Sequence, residues 1–299
     1  MNTLAVGADG ELAEASRIRR RKPLFLTALA DPRTRVGLVL MAIVIAVALA
    51  GPIFAPHSAT EFVGRPYAGP SASAPLGTDQ LGRDVLSRVL GGGATLLWMS
   101  FLAALLGVTF GTTIGVAAAY LGGRVRSVLM RSIDALLAFP TIVLVLLFVS
   151  LIGPKPWLIV LLVAIAWTPQ VARVTFGVAR KVSAAEFVEA AEAIGMPRAR
   201  LILTEILPNL STTISIELGL RITWSIGLIA ALSFIGFGLQ PPAADWGLLV
   251  NENRLALTTQ PWAIFAPIVL IAVLAVGVNL VTEGLARASA RTDGSDTKA

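Results

Sequence analysis

Long stretches without a charged side chain run through most of this sequence and restrict the folds that are open to it. About 20 apolar residues of helix cross a hydrocarbon core of about 30 Å, and a backbone in lipid must satisfy its own hydrogen bonds. Stretches of this kind are Val36–Ala55, Val89–Gly123, Ala135–Gly153, Pro156–Ala172 and Leu255–Thr282. Another, Ile206–Ala244, has only Glu217 and Arg221 as charged residues and is expected to hold one tilted helix and a loop. The sequence therefore predicts an all-α integral membrane protein with six transmembrane helices.

The overall composition supports a membrane protein and excludes other classes. Hydrophobic residues make up 56% and charged residues 14% of the chain, and the mean hydropathy is +0.79, whereas a soluble domain has about 25% charged residues. The net charge of +6 does not indicate a nucleic-acid-binding protein, because the basic residues lie at the ends of apolar stretches and form no cluster. The absence of cysteine excludes a thiolate metal site. We expect membrane lipid as a partner, no nucleic acid and no metal.

The distribution of lysine and arginine predicts the orientation, because cytoplasmic connections carry the excess of both residues. With the N-terminus inside, the cytoplasmic side holds eighteen of them and the outer side five. The cytoplasmic set is Arg17, Arg19, Arg20, Arg21, Lys22, Arg33, Arg35, Arg124, Arg126, Arg131, Arg173, Arg180, Lys181, Arg198, Arg200, Arg287, Arg291 and Lys298. The outer set is Arg65, Arg83, Arg88, Lys155 and Arg254. We predict cytoplasmic tails over residues 1–35 and 289–299, and a membrane domain over 36–288.

Four tryptophans support this orientation, since indole rings suit the headgroup layer. They fall at the outer ends of the predicted spans and are Trp98, Trp157, Trp246 and Trp262. The first span could instead be a cleavable signal peptide, because Ala48-Leu49-Ala50 resembles a cleavage site. Its apolar stretch is longer than the roughly 7 to 15 residues of a signal peptide. We therefore expect a retained anchor.

An extracytoplasmic loop is predicted over residues 56–92, and its second half reads as an amphipathic helix. In GTDQLGRDVLSRVLGG, Leu81, Val85 and Val89 recur every four residues, with charged residues elsewhere on the turn. Such a helix could lie flat in the membrane interface or form a surface that an extracytoplasmic partner contacts. His57, the only histidine, is expected to be an exposed loop residue.

Three glycines at spacing four in the second span predict close packing against a neighbouring helix, since glycine lets two backbones approach. They are Gly107, Gly111 and Gly115.

A charged segment between the fourth and fifth spans reads as two short helices. Ser183-Ala-Ala-Glu186 matches a capping box that starts a helix. Gly195 is expected to end this helix in a left-handed conformation, Pro197 to begin the second helix, and Pro208 to end it. The apolar face of the first helix is predicted at Phe187, Ala190, Ala191 and Ile194. We predict a helical hairpin over residues 183–208.

This hairpin could simply be the way in which a long loop folds. The small side chains of Ala190 and Ala191 favour a docking surface, because they leave no bulky group between the helix and a partner.

The hairpin and four further motifs resemble a known family of transport proteins. Glu189-Ala190-Ala191, with Gly195 and Ile206-Leu207-Pro208 after it, resembles the EAA loop of permease subunits in ABC importers. The further motifs resemble the dipeptide, oligopeptide and nickel (DppC/OppC-like) branch of these permeases: PLGTDQLGRDVLSRVL (75–90), MRSIDALLAFP (130–140), LSFIGFGLQPPAADWG (232–247) and PWAIFAPIVLIAVLAVGVNLVTEGL (261–285). The resemblance covers residues 33–288. Glu205 stands where the family usually has His, and Ile229 where it commonly has Glu.

The resemblance implies a type I ABC importer permease (MetI-like) fold in a bacterial inner membrane, with di- or oligopeptides or similar small solutes as cargo. It implies coupling to a separate ATPase through six residues of this chain and no catalytic residue. The implied coupling residues are Glu189, Ala190, Ala191, Gly195, Leu207 and Pro208. The implied partners are a second permease subunit, forming a heterodimer, cytoplasmic ATP-binding subunits that use ATP and Mg, and an extracytoplasmic solute-binding protein.

The residues independently separate this chain from the ATPase. A P-loop needs Gly-Lys before Ser or Thr, whereas the four lysines follow Arg, Pro, Arg and Thr. Two other classes stay open, namely a self-contained secondary transporter, which would show repeated halves and broken helices, and a structural membrane subunit. Within the family, nickel or another small solute is the alternative cargo.

Glu217 and Arg221 are the charged residues inside the fifth span, four positions apart. Each charge near mid-membrane costs roughly 2.5 to 3.5 kcal/mol on insertion scales, which a local pair worth about 0.2 to 0.5 kcal/mol does not offset. A further partner is therefore expected. The pair either fixes span five against a neighbouring helix or lines the translocation pathway between two permease subunits, and we adopt the pathway as the hypothesis to test.

Overall fold

The computed structural model describes residues 24–296, and apart from isolated bridges in one loop every regular element in that range is helical. The helices are α1 (Leu24–Leu29), α2 (Pro32–Phe54), α3 (Val85–Gly91), α4 (Gly93–Leu121), α5 (Gly123–Leu137), α6 (Thr141–Ile152), α7 (Pro156–Ser183), α8 (Glu186–Ala193), α9 (Arg198–Leu201), α10 (Leu207–Phe234), α11 (Trp246–Asn253) and α12 (Trp262–Asp296). A π-helical turn, Ile202–Ile206, joins α9 to α10. Most of the basic residues predicted for the N-terminal tail, Arg17 to Lys22, lie outside the described residues.

Among the described residues, five helices are long and apolar enough to cross a membrane, and a bent helix pair makes up to six. The bent pair is α5 and α6, which meet at 81° near Pro140. Proline has no amide hydrogen and disfavours a helical residue before it. Helix α6 alone is 12 residues long and rises about 18 Å. The third predicted span, Ala135–Gly153, is therefore not one straight helix.

The three glycines of α4 pack against α7, as the sequence predicts. A Cβ at Gly107 would lie 3.0 Å from the Ala164 carbonyl oxygen, and one at Gly115 would lie 2.7 Å from that of Ala172. A Cβ at Gly111 would lie 2.5 Å from the Val171 Cβ. Because no larger residue fits at these positions, α4 and α7 form a closely packed pair at the centre of the bundle.

The first span is attached mainly to the last one. Gly37 of α2 lies against Gly277 of α12, and Arg287 Nε donates to Asp31 Oδ2 at 3.0 Å. Asp31 also accepts from the Arg33 amide and so caps α2. The span thus begins at Pro32, inside the predicted tail 1–35, and α12 likewise continues past the predicted boundary at 289.

The bundle has two ends, which we call the loop end and the hairpin end. The loop end contains residues 56–92 and α11, and the hairpin end contains α8 and α9. Helix α4 runs from the first to the second, because Leu96 near its start packs with Trp246, and Val116 and Ala119 near its other end pack with Val188 of α8. The Arg287–Asp31 pair places the first residues of α2 beside the last turns of α12.

Candidate functional sites

The hairpin begins differently from the predicted capping box, which is wrong. Ser183 is the last residue of α7, and among the described residues its hydroxyl has no hydrogen-bond partner. Helix α8 starts at Glu186 after Ala185, without a side-chain cap. The cause is that α7 continues through Arg180 and Lys181, whose charges suit a helix C-terminus. Ser183 therefore belongs to the last turn of α7 and does not cap α8.

The end of α8 confirms the role predicted for Gly195. Its φ is +81°, in the left-handed region. The Gly195 amide donates to the Glu192 carbonyl at 2.9 Å and the Met196 amide to the Ala191 carbonyl at 3.1 Å. These two bonds form a Schellman motif. Because no described atom lies within 4 Å of a Cβ built at Gly195, the backbone conformation alone requires glycine there.

The predicted apolar face of α8 is divided between two directions. Val188 and Ala191 are buried in a cluster that also contains Val116 and Ala119 of α4, and Tyr120 of α4 donates to Glu192 of α8 at 2.7 Å. Phe187 is 45% and Ile194 80% exposed, and Ala190 is also exposed. Consecutive residues on a helix are about 100° apart, so Ala190 and Ala191 cannot share one contact. Ala191 fixes α8 to the bundle, and the exposed stripe, which we define as Phe187, Ala190 and Ile194, points away from it.

The second helix of the hairpin does not end at Pro208, which corrects the predicted boundary. Residues Arg198–Phe234 form one continuous helical segment through the π-helical turn. The Leu207 amide donates to the Ile202 carbonyl, five residues back. A proline inside an α-helix clashes with the carbonyl four residues earlier, and the wider turn accommodates Pro208. The hairpin is consequently joined to the fifth span without a flexible linker.

Glu217 and Arg221 are both buried, and Arg221 has partners on α7. Arg221 Nε donates to Glu217 Oε2 at 3.1 Å, and another guanidinium nitrogen donates to Gln170 Oε1. The guanidinium also lies over the Trp167 ring, 5.6 Å from its centroid. Arg221 thus has the further partners that were expected, and it joins α10 to α7, whereas the partner of Glu217 is Arg221 itself.

The loop end contains a buried group of charges that the sequence interpretation missed. Asp79 Oδ2 accepts from Arg83 Nε and from an Arg88 nitrogen, both at 2.7 Å. Glu252 of α11 accepts from Arg83 at 3.2 Å and from Arg88 at 2.5 Å. All four side chains are at most 5% exposed. We call these four residues the charge clamp, and it ties the loop to α11.

The charge clamp overturns the predicted amphipathic helix. Helix α3 begins only at Val85, where Asp84 accepts from the Leu86 and Ser87 amides as N-cap. Residues before it form a compact loop, in which Gly82 has φ +81°. Asp79, Arg83 and Arg88 face inward because each meets an opposite charge on the loop or on α11. The flat interfacial helix is therefore wrong, and residues 79–84 present no charged outer face.

Hydrogen bonds outweigh burial at Asp79. Burial alone would raise the pKa of this carboxyl, but it accepts from the Arg83 and Leu81 amides and from Arg88, and its pKa lies below the ordinary 3.8. The pKa of Asp245, which caps α11 by accepting from the Leu248 amide, is raised by burial. The carboxylate form of Asp79 is thus the form that the clamp stabilises.

Two further expectations at the loop end need correction. Trp246 is fully buried and donates its indole hydrogen to the Val89 carbonyl at 2.8 Å, so it does not lie in the headgroup layer. Trp98, Trp157 and Trp262 are exposed. His57 is only partly exposed, and its ring contacts the Ser73 carbonyl oxygen at 2.9 Å.

Comparisons with known proteins show the family of the chain. Residues 111–291 match the family model described as "Binding-protein-dependent transport system inner membrane component". The chain belongs to this family. It is 32% identical over 251 residues to the dipeptide transport system permease protein DppC of Alkalihalophilus pseudofirmus, covering 84% of this chain and 83% of the relative. It is 33% identical over 282 residues to a putative peptide transport system permease protein of Brucella suis, covering 94% and 91%.

A solved structure shows the same fold. A chain of the MetNI methionine ABC transporter, in inward-facing conformations, superposes with a TM-score of 0.52 at 14% identity, and the match covers 67% of this chain and 96% of that chain. The type I importer permease fold predicted from the sequence is confirmed, and the chain is a multi-pass inner-membrane protein. Helices α1 to α3 lie before the matched family region.

Proposed function

We propose that this chain is the membrane-spanning permease subunit of an ATP-driven ABC importer, and that it forms half of a pathway for di- or oligopeptides or similar small solutes. Family membership and the peptide permeases among its relatives support the class of function and of cargo. The observation that carries the mechanism is the hairpin, whose exposed stripe is joined rigidly to span five.

The exposed stripe is the contact for a separate cytoplasmic ATPase. Phe187 and Ile194 are exposed apolar side chains on either side of the small Ala190. This arrangement is typical of a helix that lies in a partner's groove. The contact is supported by the charge of Glu189 and by the Schellman turn at Gly195. It is also supported by the continuous helical segment through Leu207 and Pro208 into α10. ATP and Mg are used by the ATPase, so this chain needs no cofactor of its own. Movement of the stripe is transmitted along α10.

The hairpin end faces the cytoplasm in this proposal, and with it both termini. Basic residues at that end support the orientation, among them Arg124, Arg126, Arg180, Lys181, Arg198 and Arg200. The loop end then faces the side from which a solute-binding protein delivers cargo.

The second permease subunit covers the face formed by α6, α7 and α10, and we take it to be a homologous chain. A depression of about 420 Å³ lies there, lined by Thr141, Ile142, Trp167, Trp224, Gly227 and Leu228. Trp167 also holds Arg221, and it donates its indole hydrogen to Ser225 at 2.9 Å. Arg221 thus lies one side chain from this face, with Glu217 beside it, which supports the place of the pair along the pathway.

The test is the coupling of ATP hydrolysis to transport in a reconstituted complex with its ATPase, partner permease and binding protein. Ala190→Arg places a long cation in the centre of the exposed stripe and should abolish peptide uptake and stimulated hydrolysis. Ala290→Arg, the same change at an exposed position near the end of α12, is the matched control and should leave both unchanged. Full activity of Ala190→Arg would refute the proposed contact.

A further inference from the structure

An apolar cavity of about 570 Å³ opens between the first span and the rest of the bundle. Helix α2 approaches α4 closely at the loop end, where a Cβ at Gly93 would lie 2.5 Å from the Ala48 Cβ. Further along the two helices the cavity lies between them, with α10 and α12 as its floor. Residues from all four helices line it, among them Met41, Leu49, Trp98, Phe101, Leu274 and Leu285.

The cavity is part of the surface that faces lipid. All four helices are membrane spans, and Trp98 and Phe101 at the edge of the cavity are exposed, as is Ile43 on the neighbouring face of α2. The wall is therefore continuous with the lipid interface of the protein. Apart from the hydroxyl groups of Ser100 and Thr282 the wall is apolar, so water finds few hydrogen-bond partners in it.

The close contacts of α2 select the occupant of the cavity. Gly37 lies against Gly277 of α12, and Ala48 lies against Gly93 of α4. These two positions of α2 are about 16 Å apart along the helix. A partner's transmembrane helix spans a hydrocarbon core of about 30 Å and cannot run between α2 and the bundle past both contacts. A flexible hydrocarbon chain can end between them and has no backbone hydrogen bonds to satisfy.

The length of the cavity agrees with one lipid leaflet. Its lining extends over Met41–Leu49 on α2, Leu218–Ile226 on α10 and Leu274–Leu285 on α12. These stretches rise about 12 to 17 Å, roughly half of a hydrocarbon core of about 30 Å.

We propose that this cavity binds one acyl chain of a membrane phospholipid. The acyl chain completes the packing between α2, which lies before the matched family region, and the wall formed by α4, α10 and α12. Lipid binding at this place is independent of the proposed transport function, because it uses no residue of the hairpin or of the Glu217–Arg221 pair.

The first test is photolabelling of the wild-type protein in vesicles that contain phosphatidylethanolamine with a diazirine on one acyl chain. Adducts should concentrate on lining residues such as Met41 and Leu274. Labelling confined to outward-facing positions such as Ile43 would overturn the proposal, since it would show lipid only around the protein.

The second test fills the cavity. Native mass spectrometry of the purified protein should show one retained phospholipid per chain, which Ala94→Phe and Met41→Trp remove. Ala46→Phe, an equal increase in size at an exposed position of α2, should keep it. Retention by both filled variants, loss in the control, or no retained lipid in the wild type would each contradict an acyl-chain site.

Discussion

Removal of one carboxylate from the charge clamp should loosen the whole loop end. Glu252→Gln leaves the Arg83 and Arg88 guanidiniums with Asp79 as their only carboxylate within the clamp, and Arg88 is completely buried. Breaking a buried ion pair by removing one partner costs about 3 to 5 kcal/mol. An exposed pair such as Arg173–Asp134, with both side chains more than half exposed, is worth only about 0.2 to 1 kcal/mol.

Hydrogen exchange measures this difference locally. The Gln80 amide donates to Asn253 Oδ1 at 3.1 Å across the clamp, so it exchanges when loop and α11 separate. A loss of about 3 to 5 kcal/mol corresponds to exchange that is roughly 10²- to 4 × 10³-fold faster, since each 1.4 kcal/mol is tenfold. Asp134→Asn, the control at the exposed pair, should speed exchange in its own segment by no more than about fivefold.

A charge-balanced variant separates loss of a carboxylate from general damage. Glu252→Gln combined with Arg83→Gln keeps one cation for one anion, and the double variant should exchange more slowly than Glu252→Gln alone. If Glu252→Gln changes the Gln80 exchange rate by less than about fivefold, the clamp does not hold the loop to α11.

Three further predictions concern the hairpin, the span-five pair and the topology. Gly195→Val should insert normally but lose transport and ATPase stimulation, because a left-handed conformation costs about 1–2 kcal/mol for a residue with a Cβ. The control Gly177→Val, at an open and exposed position of α7 with an ordinary φ, should keep transport and ATPase stimulation. Equal behaviour of the two variants would exclude the backbone conformation as the cause. Glu217→Gln and Arg221→Gln should assemble and keep stimulated hydrolysis, since both variants keep the hydrogen bond from Trp167 of α7 to Ser225 of α10. They should nevertheless transport poorly or with altered cargo preference. Wild-type uptake by both variants, or failure of both to assemble, would leave the pair a structural link. A reporter active only outside the cytoplasm should be active when fused after Gly69 and silent after Ala193, and the reverse pattern would contradict the orientation.

Features that depend on local backbone requirements could be predicted from the sequence. Gly195 ends α8 because only a residue without Cβ adopts its φ easily, and a glycine after a short amphipathic pattern signals this directly. Spacing four places Gly107, Gly111 and Gly115 on one helix face, and this predicts a closely packed neighbouring helix. The number of spans came from apolar length alone. The bend between α5 and α6 could not be predicted from apolar length, because a bend changes neither the length nor the composition of the apolar stretch.

Features that depend on distant partners could not be predicted. Asp79 and Arg88 look like one polar face of a helix until Glu252, far along the chain, is known to pair with them. The burial of Trp246 has the same cause, since its partner is the Val89 carbonyl. Gln170 gave no signal as a partner for Arg221, because a single amide in an apolar helix has many possible roles. Ser183 misled in the opposite way, since a local capping pattern was present but α7 extended over it.

The contact between the exposed stripe and the ATPase is the central claim, and site-directed cross-linking tests it most directly. The chain has no cysteine, so Ala190→Cys introduces a single thiol at the centre of the stripe without other changes. In the assembled complex, a short cross-linker with one thiol-reactive end on Ala190→Cys and one photoreactive end should form an adduct with the ATPase subunit, and Ala72→Cys at the loop end should give no such product. An Ala190→Cys complex that hydrolyses ATP and transports cargo, but yields no adduct with the ATPase, would contradict the account.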